Sequence, residues 1–428
     1  MSDYYEHGPQ VTRGWVLHPE LLNDRQRRNA SFALQEAVSL ADALPGFEVQ
    51  GSEIVRISKP QPGHLVGSGK MEELADRLKA NKVELVLVDG PLTPVQQRNL
   101  EKAWKVKILD RTGLILEIFA DRAATREGVL QVELAALSYQ RTRLVRSWTH
   151  LERQRGGLGF VGGPGETQIE ADRRAIDDAA TRIRRQLAKV VKTRELHRAA
   201  RAKVPYPIVA LVGYTNAGKS TLFNLLTGAT VMAKDMLFAT LDPTMRSVKL
   251  SNGTDVILSD TVGFISDLPT ELVAAFRATL EEVLAADLIC HVRDIAHPQT
   301  EEQAEDVKQI LETLGVNEGI PTIEVWNKVD LLDEGSRDSV HQIASRREDV
   351  QVISAVSGAG IDDLVDAITT KIRPQSEQSR VFLGWADSKR RAWLFEKGLV
   401  LDETPLEDGA EFLVEWTEAQ KVAFETMV

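Results

Sequence analysis

The sequence predicts an α/β protein built from four consecutive segments. Short apolar runs alternate with helical patterns in residues 1–115 and again in residues 204–374, which is typical of parallel sheets covered by helices. Residues 116–203 carry a heptad pattern instead. The chain has 428 residues, and domains most often have about 100–150, so several domains are expected.

Composition excludes several classes of protein. Hydrophobic residues make up 43% of the chain and charged residues 27%, so a largely disordered chain is excluded. No apolar run reaches the length of about 18 residues that a membrane span needs, and residues 1–6 have no signal-peptide pattern. The single cysteine, Cys290, excludes a disulfide framework and a cysteine-based zinc site. We expect a cytoplasmic protein, monomeric when free, with ribosome association or loose membrane association left open.

The first segment, residues 1–115, is predicted to be an α/β subdomain with a largely parallel sheet. Apolar runs predict strands at Trp15–Leu17, Glu53–Ile57 and Leu85–Val88. Amphipathic stretches predict helices at Met71–Ala80 and Pro94–Trp104, one on each side of the last strand.

The second segment, residues 116–203, is predicted to be a basic helical hairpin. Two sets of residues repeat at heptad spacing, namely Leu130, Leu134, Leu137, Leu144, Trp148 and Leu151, then Ile176, Ala180, Ile183, Leu187 and Val190. A glycine-rich loop at 156–165 separates them. Residues 126–203 contain 17 Lys and Arg against 9 Asp and Glu, although the whole chain has a net charge of −11. This local positive charge suits a nucleic-acid partner, and a solvated helix face is the alternative.

The third segment, residues 204–374, and the fourth, residues 375–428, complete the α/β prediction. Strands of the third segment are predicted at Ile208–Val212, Val256–Ser259, Leu288–Val292, Thr322–Val325 and Val352–Ser354. Pro374–Ser379 is predicted to be a linker, and the residues after it a small α+β domain.

A phosphate-binding loop follows the first strand of the third segment. Residues 213–220 fit the pattern G-x-x-x-x-G-K-[ST] between a strand and a helix, which is the context the pattern requires. Glycines let backbone amides surround a phosphate, the lysine adds positive charge, and the serine hydroxyl can bind Mg²⁺. The residues predicted to bind are Gly213, Tyr214, Thr215, Asn216, Ala217, Gly218, Lys219, Ser220 and Thr221.

Two later elements are predicted to complete the phosphate and Mg²⁺ site. Asp260, Thr261, Val262 and Gly263 end the second strand in a D-x-x-G pattern, with the carboxylate holding Mg²⁺ through water and the Gly263 amide facing the γ-phosphate. Between the glycine loop and the D-x-x-G pattern lie Phe238, Ala239, Thr240, Leu241 and Asp242, of which Thr240 is a candidate Mg²⁺ ligand. We therefore predict Ser220, Thr240 and Asp260 as metal ligands and Lys219, Thr240 and Gly263 as catalytic residues.

The base is predicted to be guanine. Asn327, Lys328, Val329 and Asp330 form the N-K-x-D pattern after a buried strand. Asp330 can accept two hydrogen bonds from guanine N1–H and N2–H₂, a donor pair that adenine lacks. Ser354 and Ala355 lie where a backbone amide would meet guanine O6. The predicted substrate and product are thus GTP and GDP, with Mg²⁺ as cofactor.

Phe264 follows the D-x-x-G pattern at the position where small signalling GTPases have a water-orienting glutamine. A phenylalanine cannot polarise water, so intrinsic hydrolysis is predicted to be slow, with the missing stabilisation supplied by another segment or a partner.

Two further glycine patterns are interpreted as unrelated to nucleotide binding. Residues 157–162 fit G-x-G-x-x-G but do not follow a strand, which the dinucleotide-binding motif requires. Residues 67–70 contain a Gly-Lys pair without the first glycine or the following Ser or Thr, which indicates a loop before a helix, although phosphate contact there stays open.

The motifs together resemble those of the HflX family of translation-associated GTPases. The resemblance depends on GYTNAGKST at 213–221, FATLDPT at 238–244, DTVGF at 260–264, DRTGLILEIF at 110–119, EGVLQVELAA at 127–136, and HLE and GPGETQ at 150–152 and 163–168. It covers residues from about 60 to 373. In one departure, Gly162 stands before GPGE where an arginine is typical of the family.

The resemblance implies binding to the ribosome, chiefly to the large subunit and its rRNA, and dissociation of stalled or stressed ribosomes in the GTP-bound form. It implies that the first two segments approach the peptidyl-transferase region. The basic residues that could contact RNA are Arg141, Arg143, Arg146, Arg153, Arg155, Arg182, Arg184 and Arg185. A ribosome-assembly or RNA-remodelling GTPase acting on immature subunits is the main alternative, and a guanine-nucleotide sensor without an RNA role is the third.

Overall fold

The computed structural model of the protein confirms the α/β class. It describes residues 11–23, 28–154, 164–201, 206–229, 237–238, 244–250, 253–266, 281–316, 319–372 and 376–425. The chain forms two compact units, Met1–Leu364 and Val365–Val428, and each is described by itself. Among the described residues, no helix combines the length and apolar character that crossing a membrane requires.

The N-terminal segment contains a parallel sheet, as predicted. Its described strands are β1 (Thr12–Leu21), β2 (Phe47–Ile57), β3 (Leu85–Val88) and β4 (Lys107–Asp110), in the order β2-β1-β3-β4. Its helices are α1 (Ala30–Asp42), α2 (Ser68–Ala80), α3 (Pro94–Trp104) and α4 (Arg111–Arg122). The sequence patterns indicated α2 and α3 but missed α1, β4 and α4.

The predicted helical hairpin is formed by α5 (Arg126–Gln154) and α6 (Pro164–Arg201), which pack against each other. Ala180 and Ile183 are buried, as their heptad positions require. Helix α6 begins at Pro164, inside the stretch predicted as loop, because proline is well suited to the first turn of a helix. Residues 155–163 of the glycine-rich loop lie outside the described residues.

The third segment forms a sheet whose described strands have the order β10-β9-β8-β5-β7-β6. The strands are β5 (Ile208–Gly213), β6 (Thr244–Lys249), β7 (Asp255–Asp260), β8 (Leu288–Asp294), β9 (Thr322–Asn327) and β10 (Val350–Val352). The helices are α7 (Lys219–Thr227), α8 (Glu281–Leu284), α9 (Thr300–Leu314), α10 (Glu334–Ala344) and α11 (Ile361–Ile372), with a 3₁₀ turn at Val329–Leu331. Only β6 among these strands runs antiparallel to its neighbour, so the motif-bearing ends of β5, β7 and β9 meet at one edge.

One apolar core joins the first sheet's helices to the third segment. Ile115 and Phe119 of α4 belong to the same buried cluster as Val262, Phe264 and Ile265. The ring of Phe119 packs edge-on against Phe238 at 4.7 Å between centroids. The N-terminal segment therefore packs directly against the loops that carry the nucleotide motifs.

The C-terminal unit is a small α+β domain, as predicted. Its antiparallel strands are β11 (Ser376–Gly384), β12 (Val400–Leu406) and β13 (Gly409–Thr417), ordered β11-β13-β12, and its helices are α12 (Ser388–Glu396) and α13 (Glu418–Glu425). The linker predicted at Pro374–Ser379 is wrong from Ser376 onward, because these residues pair with β13. The domain boundaries predicted at 115, 203 and 374 stay predictions.

Candidate nucleotide-binding site

The glycine loop between β5 and α7 lies so close to neighbouring strands that two of its positions admit only glycine. Gly213 has φ 153°, and a Cβ there would lie 2.2 Å from the backbone oxygen of Val292. Gly218 has φ 93°, and a Cβ there would lie 2.2 Å from Nδ2 of Asn327. The two fixed glycines of the motif are thus explained by backbone conformation and close approach.

Lys219 begins α7 and its side chain folds back over the loop. Its Nζ donates hydrogen bonds to the backbone oxygens of Tyr214 at 2.9 Å and Gly213 at 3.1 Å. Burial lowers the pKa of Lys219 to about 8, and the charge of Asp260 opposes this shift. A phosphate bound here would add the negative charge that favours the protonated amine.

Ser220 and Asp260 form an oxygen pair suited to Mg²⁺. Ser220 Oγ donates to Asp260 Oδ2 at 2.8 Å, and Asp260 is completely buried at the end of β7. In the part of the chain that the structure describes, no three His, Cys, Asp or Glu side chains are placed to hold a metal by themselves. Mg²⁺ is usually bound by one or two protein ligands together with water and substrate phosphates, and the Ser220 and Asp260 oxygens would provide such ligands. Bound here, Mg²⁺ would neutralise charge on those phosphates.

The D-x-x-G segment runs beside the glycine loop. The Thr215 amide donates to the Phe264 carbonyl at 2.7 Å, and the Phe264 amide donates to the Gly213 carbonyl at 3.1 Å. A Cβ on Gly263 would lie 2.8 Å from Thr215 Cγ2 and 3.1 Å from Lys219 Nζ. Gly263 therefore lies beside the glycine loop and the Lys219 amine, and its contact with the γ-phosphate stays a prediction.

The remaining side chains of this segment point into the protein. Thr261 Oγ1 donates to the Leu211 carbonyl at 2.6 Å, and Val262 is buried in the core. The ring of Phe264 is also buried, so the position after Gly263 presents no polar group.

Asn327 joins the glycine loop to the second predicted base-contacting loop. It is buried, its Nδ2 donates to the Ala217 carbonyl at 2.8 Å, and its Oδ1 accepts from the Ala355 amide at 2.9 Å. The structure thus brings Ala217, Asn327 and Ala355 together. Ser354 is buried beside Ala355.

The rest of the N-K-x-D pattern lies at the end of β9. Lys328 has φ 66° and its Nζ lies 2.8 Å from Asp294 Oδ2. Val329 is buried at the start of the 3₁₀ turn, whereas Asp330 is exposed and available to a ligand. Asn216 is exposed on the glycine loop, and Thr221 is half-buried in α7.

The stretch that contains the candidate threonine is only partly described. Ala239, Thr240, Leu241 and Asp242 lie outside the described residues. Phe238 is described, and its ring is buried against Phe119. The roles predicted for Thr240 and its neighbours stay predictions.

Sequence reasoning missed a polar network around Tyr214. Its hydroxyl is bonded to Glu36 of α1 and lies 2.7 Å from Ser266 Oγ. Arg111 of α4 is bonded to the same Glu36 and to the Ser266 carbonyl. The one available signal was DRTGLILEIF, which contains Arg111 but does not indicate its partners.

The hairpin arginines do not share one environment. Arg182, Arg184 and Arg185 are exposed on α6, as an RNA-binding surface requires. Arg141 pairs with Asp177 at 2.8 Å across the hairpin. Arg143 is instead directed toward the first sheet, where it bonds Asp110, so the structure does not present it to RNA. The side chains of Arg146 and Arg153 and all of Arg155 lie outside the described residues.

The structure describes one of the two glycine patterns that were interpreted as unrelated to nucleotide binding. Gly67 precedes helix α2, as predicted, and Lys70 is bonded to Glu53 at 3.0 Å and Glu73 at 2.9 Å. These carboxylates already neutralise the lysine, which disfavours a phosphate there. Residues 157–162 lie outside the described residues.

The fold and the motif positions define a P-loop GTPase, and comparison with known proteins agrees. Residues 32–120, 122–201, 208–328 and 339–427 match the families described as GTP-binding GTPase N-terminal, GTP-binding GTPase Middle Region, 50S ribosome-binding GTPase and HflX C-terminal domain. The GTPase HflX of Magnetococcus marinus is 47% identical over 400 residues, covering 94% of this chain and 90% of that protein. The GTPase HflX of Escherichia coli is 42% identical over 412 residues, covering 96% and 94%.

The chain therefore belongs to the HflX family of GTPases, which confirms the predicted resemblance. The match extends beyond residues 60–373, because the family similarity also covers the C-terminal domain and most of the N-terminal segment. A solved GTP-binding protein of Sulfolobus solfataricus in complex with GDP aligns with 84% of this chain and 99% of its own, at 22% identity and a TM-score of 0.45.

Proposed function

We propose that this GTPase binds the ribosome in its GTP form, chiefly through the large subunit and its rRNA, and dissociates stalled or stressed ribosomes. Hydrolysis then resets the protein for another round. The observation that carries the proposal is the match of residues 208–328 to the family described as 50S ribosome-binding GTPase, in a chain similar over nearly its full length to GTPase HflX proteins.

The chemistry of the nucleotide site follows from the residues at the ends of β5, β7 and β9. Backbone amides of the glycine loop would surround the β-phosphate, with Lys219 adding charge toward the β- and γ-phosphates. Ser220 and Asp260 would hold Mg²⁺, together with Thr240, and Gly263 would meet the γ-phosphate. Asp330 would select guanine, because leaving its carboxylate unpaired against adenine is unfavourable.

Hydrolysis by the free protein is proposed to be slow. Phe264 is buried in the core and has no group that could orient or polarise an attacking water. A group from the ribosome or from another segment would supply this function. We therefore expect large subunits to increase the rate of GTP hydrolysis, and the increase to weaken with salt if the basic hairpin mediates contact.

The hairpin is the proposed RNA-binding element. Arg182, Arg184 and Arg185 are exposed on α6, and arginine-rich surfaces attract the phosphate backbone regardless of sequence. Loss of the γ-phosphate would relax the loops near Thr240 and Gly263, and this change would lower the affinity for the large subunit.

The direct test is ribosome dissociation followed by light scattering and by sucrose-gradient sedimentation. We expect dissociation with GTP or a non-hydrolysable analogue, and much less with GDP. A Lys219→Ala variant that no longer binds GTP should be inactive, and normal dissociation by that variant would contradict the proposal.

A nucleotide-specificity variant provides the matched control. Asp330→Asn should lose dissociation with GTP and regain it with xanthosine triphosphate, whose 2-oxo group can accept from the asparagine amide. Binding confined to immature subunits, with no dissociation of mature ribosomes, would support the ribosome-assembly alternative instead.

A further inference from the structure

Asp110 and Arg111 are consecutive buried residues at the point where β4 ends and α4 begins. Asp110 caps α4, because its Oδ1 accepts from the Gly113 amide at 2.9 Å. This cap fixes the Asp110 carboxylate at the start of α4, and Arg111 is the first residue of that helix. These two residues begin the DRTG motif, to which the nucleotide chemistry assigns no role.

Asp110 is hydrogen-bonded to helix α5 of the hairpin. Its carboxylate accepts hydrogen bonds from Tyr139 and Arg143, which are four residues apart on α5. The guanidinium of Arg143 also lies 4.4 Å from the Tyr139 ring centroid and bonds Gln97 of α3. Helix α5 is thus attached to the first sheet by a charged, largely buried cluster.

Arg111 is hydrogen-bonded to the segment that follows Gly263. Its Nη2 donates to the Ser266 carbonyl at 2.9 Å and to Glu36, and its Nη1 donates to Asp89 at 2.6 Å. Burial raises the pKa of Asp89, but the charge and hydrogen bond of Arg111, the hydrogen bond of His18 and the charge of Arg28 together outweigh burial and lower that pKa to about 2. Arg111 is therefore fixed by two carboxylates while it contacts the backbone oxygen of Ser266, three residues after Gly263.

Tyr214 connects the same cluster to the glycine loop. Its hydroxyl accepts from the Ser266 amide at 2.9 Å and is bonded to Glu36, while its backbone oxygen accepts from Lys219. A shift of Gly263 toward a γ-phosphate would move Ser266, three residues later, and so disturb its bonds to Arg111 and Tyr214.

We propose that Asp110 and Arg111 couple the nucleotide state to the hairpin, with Arg111 sensing the position of Ser266 and Asp110 transmitting the change to α5. Both are positioning residues. The proposal deepens the proposed function, since it supplies the path by which GTP alters the affinity for the large subunit. Coupling of this kind typically changes affinity roughly 5- to 150-fold.

The test measures the affinity for large ribosomal subunits with a non-hydrolysable GTP analogue and with GDP, using the full chain. For wild type, we expect a ratio of the two affinities in the range of roughly 5- to 150-fold. Arg111→Gln should bring the ratio to within about threefold of one, while GDP affinity changes little. Arg111→Lys should not restore the wild-type affinity ratio, because a lysine ammonium cannot reproduce the planar set of donors with which Arg111 reaches Asp89, Glu36 and the Ser266 carbonyl.

Arg293→Gln is the matched control. Arg293 is as buried as Arg111 and bonds Glu324 at 2.8 Å and Glu301 at 2.6 Å, and within the described residues it has no hydrogen bond to Ser266 or to α5. Its loss should lower thermal stability and leave the affinity ratio at the wild-type value. An unchanged ratio in Arg111→Gln, or an equal loss in Arg293→Gln, would overturn the proposal.

Two conservative variants test the same network and can be used if Arg111→Gln does not fold. Tyr214→Phe removes the hydroxyl on the nucleotide side, and Tyr139→Phe removes the hydroxyl on the hairpin side. Each should lower the affinity ratio, because each breaks one arm of the same network. Wild-type ratios in both would contradict the coupling.

Amide hydrogen exchange separates this proposal from the proposed function, because it needs no ribosome. In wild type, replacing GDP by the GTP analogue should change exchange in α5 near Tyr139, and Arg111→Gln should abolish that change. Wild-type protein that binds large subunits equally in both states would refute the proposed function. Unchanged α5 exchange in wild type would refute the coupling.

Discussion

Asn327→Ala should strongly weaken nucleotide binding even though this side chain need not contact the ligand. The Asn327 amide is 2% exposed and bridges two loops, donating to the Ala217 carbonyl at 2.8 Å and accepting from the Ala355 amide at 2.9 Å. Both partners are themselves buried. We call the loops closed when Ala217 and Ala355 lie as close as they do in the structure, and open when they have separated. The substitution leaves one backbone acceptor and one backbone donor unsatisfied in the closed arrangement.

Each unsatisfied buried group costs about 1–3 kcal/mol, and a water in the vacated space would recover part of this. We take about 2–4 kcal/mol as the free energy by which the closed loops are destabilised relative to open ones. If nucleotide binds only the closed arrangement, its dissociation constant rises by the same free energy, which corresponds to roughly 30- to 1,000-fold.

The assay is calorimetric or fluorescence titration of GDP at neutral pH. Asn99→Ala is the matched control, because Asn99 also donates one amide hydrogen bond, to the Gly63 carbonyl at 2.9 Å, but lies in α3. We expect the control to change GDP affinity by no more than about twofold. A folded Asn327→Ala protein with GDP affinity within about threefold of wild type would refute the reasoning.

Three further predictions concern the same site. Burial lowers the pKa of Lys219 to about 8, and a bound phosphate favours the charged form of this amine. GDP affinity should therefore be maximal below pH 8 and fall about fourfold from pH 7 to pH 8.5. A titration at several pH values that finds constant affinity would contradict this. Gly263→Ala should weaken binding of a GTP analogue roughly 5- to 150-fold, because the new Cβ would lie 2.8 Å from Thr215 Cγ2 and overpacking costs about 1–3 kcal/mol. Equal affinities of the variant and the wild type in a titration would be the contrary result. Asp330→Asn should reduce GTP affinity roughly 100-fold or more and favour xanthosine nucleotides, as a competition assay with both would measure, and retained preference for guanine would exclude the assigned role of Asp330.

The parts of the fold that the sequence predicted are those encoded by local patterns. The strand, glycine loop and helix at 208–227 are contiguous, and the loop's glycines are required by backbone conformation and close approach at 213 and 218. Helix α3 is equally local, with Thr93 and Gln96 forming a capping box and Pro94 at its start.

The parts that were missed depend on contacts between distant segments. Strand β6, with the sequence TMRSVK, has no continuous apolar run, because an edge strand buries little of its surface. The linker expectation failed for a related reason, since residues 376–379 are polar in sequence and yet pair with Trp416 and its neighbours in β13. The network of Glu36, Arg111 and Tyr214 joins residues up to 178 positions apart, and no spacing rule connects them.

The segment after Asp260 has a composition that suits signalling better than catalysis. Phe264 fills the core at the position where a polar side chain would orient water, and two residues later Ser266 bonds Arg111 and Tyr214. These contacts fix the segment to the N-terminal segment and to the glycine loop, and the buried Phe264 ring adds apolar packing to the same segment. Under the proposed function, this segment responds to the nucleotide and a partner supplies the group that orients water. We therefore expect Phe264→Gln to lower thermal stability, through burial of an amide in the apolar cluster, without raising intrinsic GTP turnover; a faster turnover by the free variant would contradict this account.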